Sequence, residues 1–302
     1  MIKVTFLGTS GSAPTKDRGL PSVALTHEGE TLLFDCGEGT QRQLFNYGLN
    51  ISRIKAIFIT HMHGDHVIGV AGLIRTFALN HRTEPLNIYV PKGGEKNVAA
   101  LILFDNALIN YPVIINGVSG GVIYRGKDFS VHAFPLKHTV KVYGYTFEES
   151  KRVRFNSEKC RSLGIKGTMF STLLEKKQIK IGKRSVRLSE VSREIRGAKI
   201  VYATDTRPLA STSEEARGAD LLIHESSFDE RLKKLAVERK HSTAAEAAEV
   251  AKRAGAKMLV LFHMSARYRE TASLLREARS IFKNTIVAKD GMQITIGGKE
   301  GP

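Results

Sequence analysis

The sequence predicts a layered α/β fold, in which helices cover the faces of β-sheets. Three observations indicate this fold. Short apolar runs of strand type alternate with helical segments, several strands end directly in polar side chains, and the composition is that of a globular protein. The chain has 302 residues, of which 42% are hydrophobic and 25% are charged. That is enough for a substantial core, and it excludes a disordered or low-complexity chain.

Most of the chain can be assigned to strands and helices from its pattern. The predicted strands are residues 4–7, 22–25, 32–34, 57–60, 88–90, 113–115, 130–134, 200–203, 221–223 and 258–262. The predicted helices are residues 67–80, a segment between Thr243 and Gly255, and residues 269–282. Thr243 and Glu246 have the spacing of a capping box, and Gly255 suits a helix end. Because such folds hold ligands in the loops beyond strand ends, the polar residues there predict one shared site.

Three features of the sequence predict a protein of the cytoplasm with no membrane segment. No apolar run approaches the ~20 residues that span a bilayer, and polar residues follow the first Met too soon for a signal peptide. The chain has only two cysteines, Cys36 and Cys160, which excludes a disulfide framework.

Positive charge is concentrated in one segment. The formal net charge is +16, and residues 151–199 contain fifteen Lys or Arg and four Glu, a net +11. This balance favours polyanions such as nucleic acid, although a solvated basic face has the same composition. Residues 148–196 also lack long apolar runs. We therefore expect an inserted basic arm without a core of its own, within a single domain of residues 1–302.

A cluster of potential metal ligands follows the predicted strand 57–60. His61, His63, Asp65 and His66 stand within six residues, and a loop can converge them where a regular strand or helix cannot. Imidazole and carboxylate suit zinc and related ions, and two metals need about this many ligands. We expect Gly64 to let the backbone turn between the two ligand pairs. The alternative is a His-rich loop that arose by chance.

The loop resembles the HxHxDH signature of the metallo-β-lactamase superfamily, whose fold is a four-layered αβ/βα sandwich. The resemblance implies two metal ions and places their other ligands at later strand ends. It assigns His61, His63 and His138 to one metal, Asp65, His66 and His263 to the other, and Asp205 as the bridge between them.

Six further segments are similar to the short-form ribonuclease Z family of tRNA 3′-processing endonucleases. They are residues 6–15, 33–41, 135–138, 224–228, 241–243 and 263–268. The resemblance implies an endoribonuclease that removes the 3′ trailer from precursor tRNA by metal-hydroxide attack on a phosphodiester, leaving a 3′-hydroxyl on the tRNA. It also implies two zinc ions per chain, with manganese or iron as possible substitutes, and a homodimer. The basic arm would hold the tRNA body. The chain departs from the family there, since it lacks the Gly-Pro motif and has no proline between Pro135 and Pro208.

Five residues are candidates for chemistry beside the metals. Asp65 can both bind a metal and accept a proton from water. His241 can protonate the leaving 3′-oxygen, and the resemblance implies Glu225 as its partner; the alternative for His241 is a surface residue before a helix cap. Ser265 and Arg267 follow His263 closely enough to contact a substrate phosphate, although a surface ion pair would also explain the arginine.

The remaining histidines carry weaker expectations. His27 and His81 are expected to be exposed, and His224 to have a structural role beside Glu225.

Two other functions remain open from the sequence. A small-molecule hydrolase of the same superfamily, acting on a thioester, sulfate ester or cyclic phosphodiester, would share the metal loop but has no need for the basic segment. A non-catalytic RNA-binding relative would keep the basic segment but has no need for every ligand.

Overall fold

The computed structural model of the protein describes residues 1–104 and 108–297. Residues 105–107 and 298–302 belong to the predicted domain 1–302 and lie outside the described residues. The strands are β1 (Ile2–Gly8), β2 (Ser10–Gly11), β3 (Ser22–His27), β4 (Glu30–Phe34), β5 (Ile54–Phe58), β6 (Leu86–Pro91), β7 (Val113–Val118), β8 (Gly121–Arg125), β9 (Phe129–Pro135), β10 (Tyr143–Glu149), β11 (Arg152–Phe155), β12 (Gln178–Ile181), β13 (Arg184–Arg187), β14 (Ser192–Ile195), β15 (Lys199–Ala203), β16 (Leu221–Glu225), β17 (Leu259–Phe262), β18 (Met264–Ser265), β19 (Thr285–Val287) and β20 (Gln293–Ile296).

The helices are α1 (Thr40–Asn46), α2 (Gly64–Val67), α3 (Gly69–Leu79), α4 (Glu95–Leu103), α5 (Ser157–Ser162), α6 (Met169–Lys176), α7 (Leu188–Val191), α8 (Ala210–Glu215), α9 (Lys233–Arg239), α10 (Ala244–Ala254) and α11 (Ala272–Ile281), with 3₁₀ turns at Ile51–Arg53 and Glu230–Leu232. None of these helices combines the length and the apolarity needed to cross a membrane, within the part of the chain that the structure describes.

Two seven-stranded sheets form the centre of the fold. One has the order β20-β1-β3-β4-β5-β6-β7 and the other the order β19-β17-β16-β15-β10-β9-β8. Side chains of both sheets meet in one buried cluster that includes Phe6, Phe58, Tyr145 and Phe262. Two further clusters pack the outer faces, one against α1, α3 and α4 and the other against α8, α10 and α11. The result is the four-layered αβ/βα sandwich that the resemblance implied.

The predicted helix after Thr243 is confirmed together with its cap. The Thr243 Oγ1 accepts from the Glu246 backbone N–H at 3.1 Å, and the Glu246 carboxylate accepts from the Thr243 N–H at 3.0 Å. Gly255 ends the helix with φ 59°. Each cap group satisfies a backbone donor that the helix itself cannot.

Two other predicted elements are displaced. The strand predicted at 57–60 is β5 and ends at Phe58, because the Thr60 backbone N–H donates to the Asp35 carboxylate at 2.8 Å and leaves the sheet. The helix predicted at 67–80 is divided into α2 and α3, which meet at Ile68.

The basic segment between β10 and β15 is a separate small unit. It leaves and returns through the antiparallel ribbon β11–β14, and carries α5, α6, the β12–β13 hairpin and α7. The expectation that it lacks a core is wrong: it buries Cys160, Ile165, Leu173, Val186 and Val191. Each short element supplies only one or two of these residues, so no long apolar run marks the core in the sequence.

Candidate metal centre

Strands from both sheets end at one site. Five strands each end at a residue of the site or within three residues of one: Asp35 for β4, His61 for β5, Asp205 for β15, Glu225 for β16 and His263 for β17. β4 and β5 are parallel, as are β15, β16 and β17. The short β2–β18 pair joins the turn after β1 to the loop after β17. The carboxyl ends of parallel strands share an edge, which is why these distant residues converge.

The metal loop consists of an extended part and a helical part. His61 and His63 precede α2, whereas Asp65 and His66 lie in its first turn. The backbone turns at Gly64, as expected, but without a left-handed φ, because Gly64 is the first residue of α2. The change from extended chain to helix turns the second ligand pair toward the first.

Seven side chains form two adjoining groups, of which one contains His61, His63, His138 and Asp205 and the other Asp65, His66 and His263. Asp205 lies between the groups. Its Oδ2 is 3.7 Å from His61 Nε2 and 3.8 Å from His138 Nε2. Its Oδ1 is 3.3 Å from His66 Nε2 and 3.1 Å from His263 Nε2. Ligands around a tetrahedral ion with bonds of about 2.0–2.1 Å lie roughly 3.3 Å apart, so these separations fit two neighbouring ions that share one carboxylate.

Hydrogen bonds on the far side of the rings point lone pairs into the site. His66 Nδ1 is 2.8 Å from the Asp35 carboxylate, and His138 Nδ1 is 3.2 Å from the Lys240 carbonyl. A ring nitrogen that faces an acceptor carries the proton, which leaves Nε2 as the metal-binding atom. His66 Nε2 and His263 Nε2 are 3.3 Å apart. Buried nitrogens at that distance suit a shared cation, so the donor set fits a dinuclear metal centre.

Asp35 organises this outer layer, and sequence reasoning gave it no role. The carboxylate is fully buried and also accepts from the Thr60 hydroxyl at 3.0 Å and the Tyr202 hydroxyl at 2.9 Å. The Thr60 hydroxyl in turn faces His61 Nδ1 at 3.0 Å. One carboxylate thereby orients a ligand in each group. Its signal in the sequence is an acid directly after a buried strand, at the edge where the metal loop begins.

His241 and Glu225 form a buried pair beside the metal groups. His241 Nδ1 is 2.9 Å from Glu225 Oε1, and its side chain is 12% exposed, so it is not a surface residue. Glu225 also accepts from the Thr206 N–H at 2.6 Å and the Ser227 hydroxyl at 2.7 Å. Burial lowers the pKa of His241, but the charge and hydrogen bond of Glu225 outweigh it and raise that pKa to about 9. An imidazolium at neutral pH is the form that can donate a proton.

Asp65 is held as a carboxylate. Burial raises its pKa, but hydrogen bonds to His263 and His66 outweigh burial and hold that pKa well below its usual range. The Ser12 backbone N–H donates to Asp65 Oδ2 at 2.9 Å. The preceding Gly11 lies against the His263 ring, where a Cβ would come within 2.6 Å of a ring carbon. The glycine-rich turn after β1 thus fits the metal centre by close approach.

Ser265 and Arg267 lie at the rim. The Arg267 Nε donates to the Ser265 hydroxyl at 3.0 Å, and its guanidinium carbon is 5.0 Å from the centre of the Phe228 ring. Within the described residues these contacts, rather than a carboxylate, hold the exposed Arg267 guanidinium. Its donors therefore remain available to an anion.

The other histidines and Cys36 lie outside the two groups. The prediction that His27 is exposed is wrong, because it is buried and faces Asp128 at 3.0 Å. His81 is exposed, and His224 is buried with Nδ1 against the Glu225 carbonyl at 2.8 Å. Burial raises the pKa of Cys36 to about 12, so its thiol is inert at neutral pH.

Comparison with known proteins gives a consistent result. Residues 2–110 match the family model described as Anti-Pycsar protein Apyc1, and residues 160–264 match the Beta-lactamase superfamily domain. Ribonuclease Z of Methanothermobacter thermautotrophicus is 42% identical over 98% of this chain and 97% of its own. Ribonuclease Z of Gemmatimonas aurantiaca is 44% identical over 98% and 96%. The crystal structure of human tRNase Z, short form, has 28% identity and a TM-score of 0.73 over 98% of this chain and 99% of that one.

Proposed function

Because the chain belongs to the ribonuclease Z family, we propose that it is a metal-dependent endoribonuclease that removes the 3′ trailer from precursor tRNA. The observation that carries the proposal is the juxtaposition of two complete groups of metal-binding side chains with the buried His241–Glu225 pair. A phosphodiesterase with a poor leaving group needs both parts.

The dinuclear centre takes zinc in this proposal. His61, His63 and His138 would hold one ion and Asp65, His66 and His263 the other, with Asp205 between the two groups. Four-coordinate sites rich in imidazole suit zinc, although manganese or iron can take the same ligands. Two bound divalent cations would neutralise the phosphate oxygens and make hydroxide available at neutral pH.

The protein's own groups handle the protons. In this proposal Asp65, whose Oδ2 accepts from the Ser12 N–H, also takes the proton of the attacking water. His241 carries a proton on each ring nitrogen; Nδ1 donates to Glu225, and Nε2 gives its proton to the leaving 3′-oxygen. The tRNA then ends in a 3′-hydroxyl and the trailer begins with a 5′-phosphate. Ser265 and Arg267 at the rim bind the phosphate that flanks the cut.

Precursor tRNA is the substrate that explains the basic arm, residues 148–196 of the single domain 1–302. Phosphate contacts from its Lys and Arg side chains supply affinity for the tRNA body. The arm joins the sheet at Glu149 and Lys199, whereas the metal centre follows the opposite end of β15 at Asp205. Five strand residues at about 3.3 Å each separate the two ends by roughly 17 Å.

As the family resemblance implies, the proposal includes a homodimer in which the arm of one subunit presents tRNA to the site of the other. Mixed dimers test it. One subunit carries His63→Ala with an intact arm, and the other has an intact site and lacks the arm. We expect the mixture to cleave precursor tRNA when neither parent does. An inactive mixture, or a monomer by light scattering, would contradict action between subunits.

The function itself is tested with purified protein and an end-labelled precursor tRNA, with zinc or manganese added or chelated. We expect a metal-dependent cut directly after the discriminator base. If a thioester, a sulfate ester or a cyclic phosphodiester is hydrolysed instead, the chain is a small-molecule hydrolase. If tRNA is bound and nothing is cleaved, it is a non-catalytic RNA-binding relative.

The proposed location is the cytoplasm, where precursor tRNA would be processed. The two free, buried cysteines fit the reducing conditions of that compartment.

A further inference from the structure

Arg207, two residues after Asp205, makes a set of contacts that the chemistry above does not use. Its guanidinium is largely buried and forms a two-pronged ion pair with Glu246, in which one nitrogen is 2.9 Å from Glu246 Oε2. That nitrogen also donates to the backbone carbonyl of His241. A single guanidinium thus bridges the His241 loop and the first turn of α10.

The same short segment is tied to the rest of the site. The Arg207 backbone N–H donates to the Lys137 carbonyl at 3.0 Å, next to His138. The Thr206 N–H donates to Glu225, and its carbonyl accepts from the Ser242 hydroxyl at 2.6 Å. Residues 205–207 therefore connect the carboxylate between the two metal groups, the partner of His241, and the chain at His241 and just after it.

We propose that Arg207 is a positioning residue for His241, an inference that rests on the proposed function of His241 as the acid for the leaving group. The backbone of His241 leaves α9 through Lys240 in a left-handed conformation, and its own N–H donates to Ala236. Its carbonyl is the group that Arg207 holds. Fixing that carbonyl fixes the position of the His241 backbone from which the imidazole ring extends, and the bond to Glu225 then sets the orientation of the ring.

Proton donation within hydrogen-bond reach is sensitive to small displacements. A planar guanidinium can hold the Glu246 carboxylate with two nitrogens and reach a carbonyl at the same time, whereas an ammonium is a single compact group. We therefore expect Arg207→Lys to keep the charge and release the His241 carbonyl.

The experiment compares leaving groups. Arg207→Lys and Glu246→Gln are assayed on precursor tRNA, on the same tRNA with sulfur in place of the 3′-oxygen at the cut, and on bis(4-nitrophenyl) phosphate. The last two leave as stable anions and need no proton. Glu246→Gln can keep Oε2, which serves the capping box of α10 and accepts from the nitrogen that holds the His241 carbonyl. It replaces Oε1, the acceptor of the second guanidinium nitrogen, with an amide group that donates, so the two-pronged grip is lost. The exposed Arg217, changed to Lys, is the matched control.

In both variants we expect kcat on normal precursor tRNA to fall about tenfold or more, with KM and metal content unchanged. We expect kcat on the two activated substrates to change by less than about threefold, as for His241→Ala. An equal loss of kcat on all three substrates would mean that Arg207 acts on folding or metal binding. An unchanged kcat on all three would mean that the contact of Arg207 with His241 does not contribute to catalysis. Either result overturns the proposal. Failure of the proposed function is recognised separately, because wild-type protein would then not cut precursor tRNA at all.

Discussion

Replacing Glu225 with Gln should displace the pH profile of tRNA cleavage toward acid. The side chains have the same shape, and the Gln amide oxygen can still accept from His241 Nδ1 and the Thr206 N–H, both of which contact Glu225 Oε1. What disappears is the negative charge beside the His241 ring. A general acid must be protonated to act, so the rate falls as the pH rises through the pKa of His241.

The structure sets the size of the displacement. The pKa of His241 is about 9, against an ordinary 6.5, because Glu225 outweighs the opposing effect of burial. In Glu225→Gln the burial remains, so the pKa falls to about 6.5 or below. At pH 8 the protonated fraction of His241 then drops from about 90% to about 3%, a loss of roughly thirtyfold in kcat. Bound cations lower both pKa values, so the expected quantity is the separation of the two profiles, about two pH units or more.

The assay is single-turnover cleavage of precursor tRNA between pH 5.5 and 9.5. The alkaline limb should move in Glu225→Gln and stay in place in Glu238→Gln, an exposed residue of α9. On precursor tRNA with sulfur as the leaving atom, the cleavage rate of Glu225→Gln and of Glu238→Gln should no longer fall at high pH. An unmoved limb in Glu225→Gln would refute the assignment of His241 as the acid that Glu225 keeps protonated.

Three further predictions address the metals and the arm. Asp35→Asn replaces the oxygen that accepts from His66 Nδ1–H and from the Tyr202 hydroxyl with an amide donor, so the zinc affinity measured by chelator competition should weaken about 10–100-fold. The control Tyr202→Phe keeps the carboxylate, so its zinc affinity should stay close to that of the wild type. Wild-type zinc affinity in Asp35→Asn would contradict the role of Asp35 in orienting the ligands. His63→Ala should abolish cleavage and lower metal content by elemental analysis, and full activity with unchanged metal would remove His63 from the ligand set. Replacing the arm with a short linker should spare bis(4-nitrophenyl) phosphate hydrolysis, weaken tRNA binding and flatten its salt dependence; unchanged tRNA processing at physiological salt would show that the arm does not hold the substrate.

The ligands that could be predicted from the residues alone are those that are close in sequence. His61, His63, Asp65 and His66 share one loop, so their spacing already indicates a metal. The later ligands required the family resemblance, because a lone histidine after a strand has no distinguishing local pattern. His138, Asp205 and His263 lie near the others only because several strands end at one edge of the sandwich.

Residues whose role depends on contact between distant segments escaped sequence reasoning. Asp35 reaches His66 and Tyr202, which are 31 and 167 positions away. His27 was expected to be exposed, yet β3 lies inside the first sheet and its last residue packs edge-on against the stacked rings of Phe129 and Phe147. Strand alternation alone does not show which face the opposite sheet covers.

The strand directions of the second sheet place tRNA binding by the arm and proton transfer at the metal centre at opposite ends of the sheet. β15 begins at the arm and ends at the bridging carboxylate, while β10 runs back from the metal side to the arm. A substitution in the arm therefore lies a strand length from the groups that move protons, and the arm has its own small core to absorb it. Changes there should appear in KM and in salt dependence, whereas changes at Glu225, Arg207 or Asp35 should appear in kcat or metal affinity. A variant of an arm lysine that altered kcat on an activated diester would show that the two ends are coupled through the sheet.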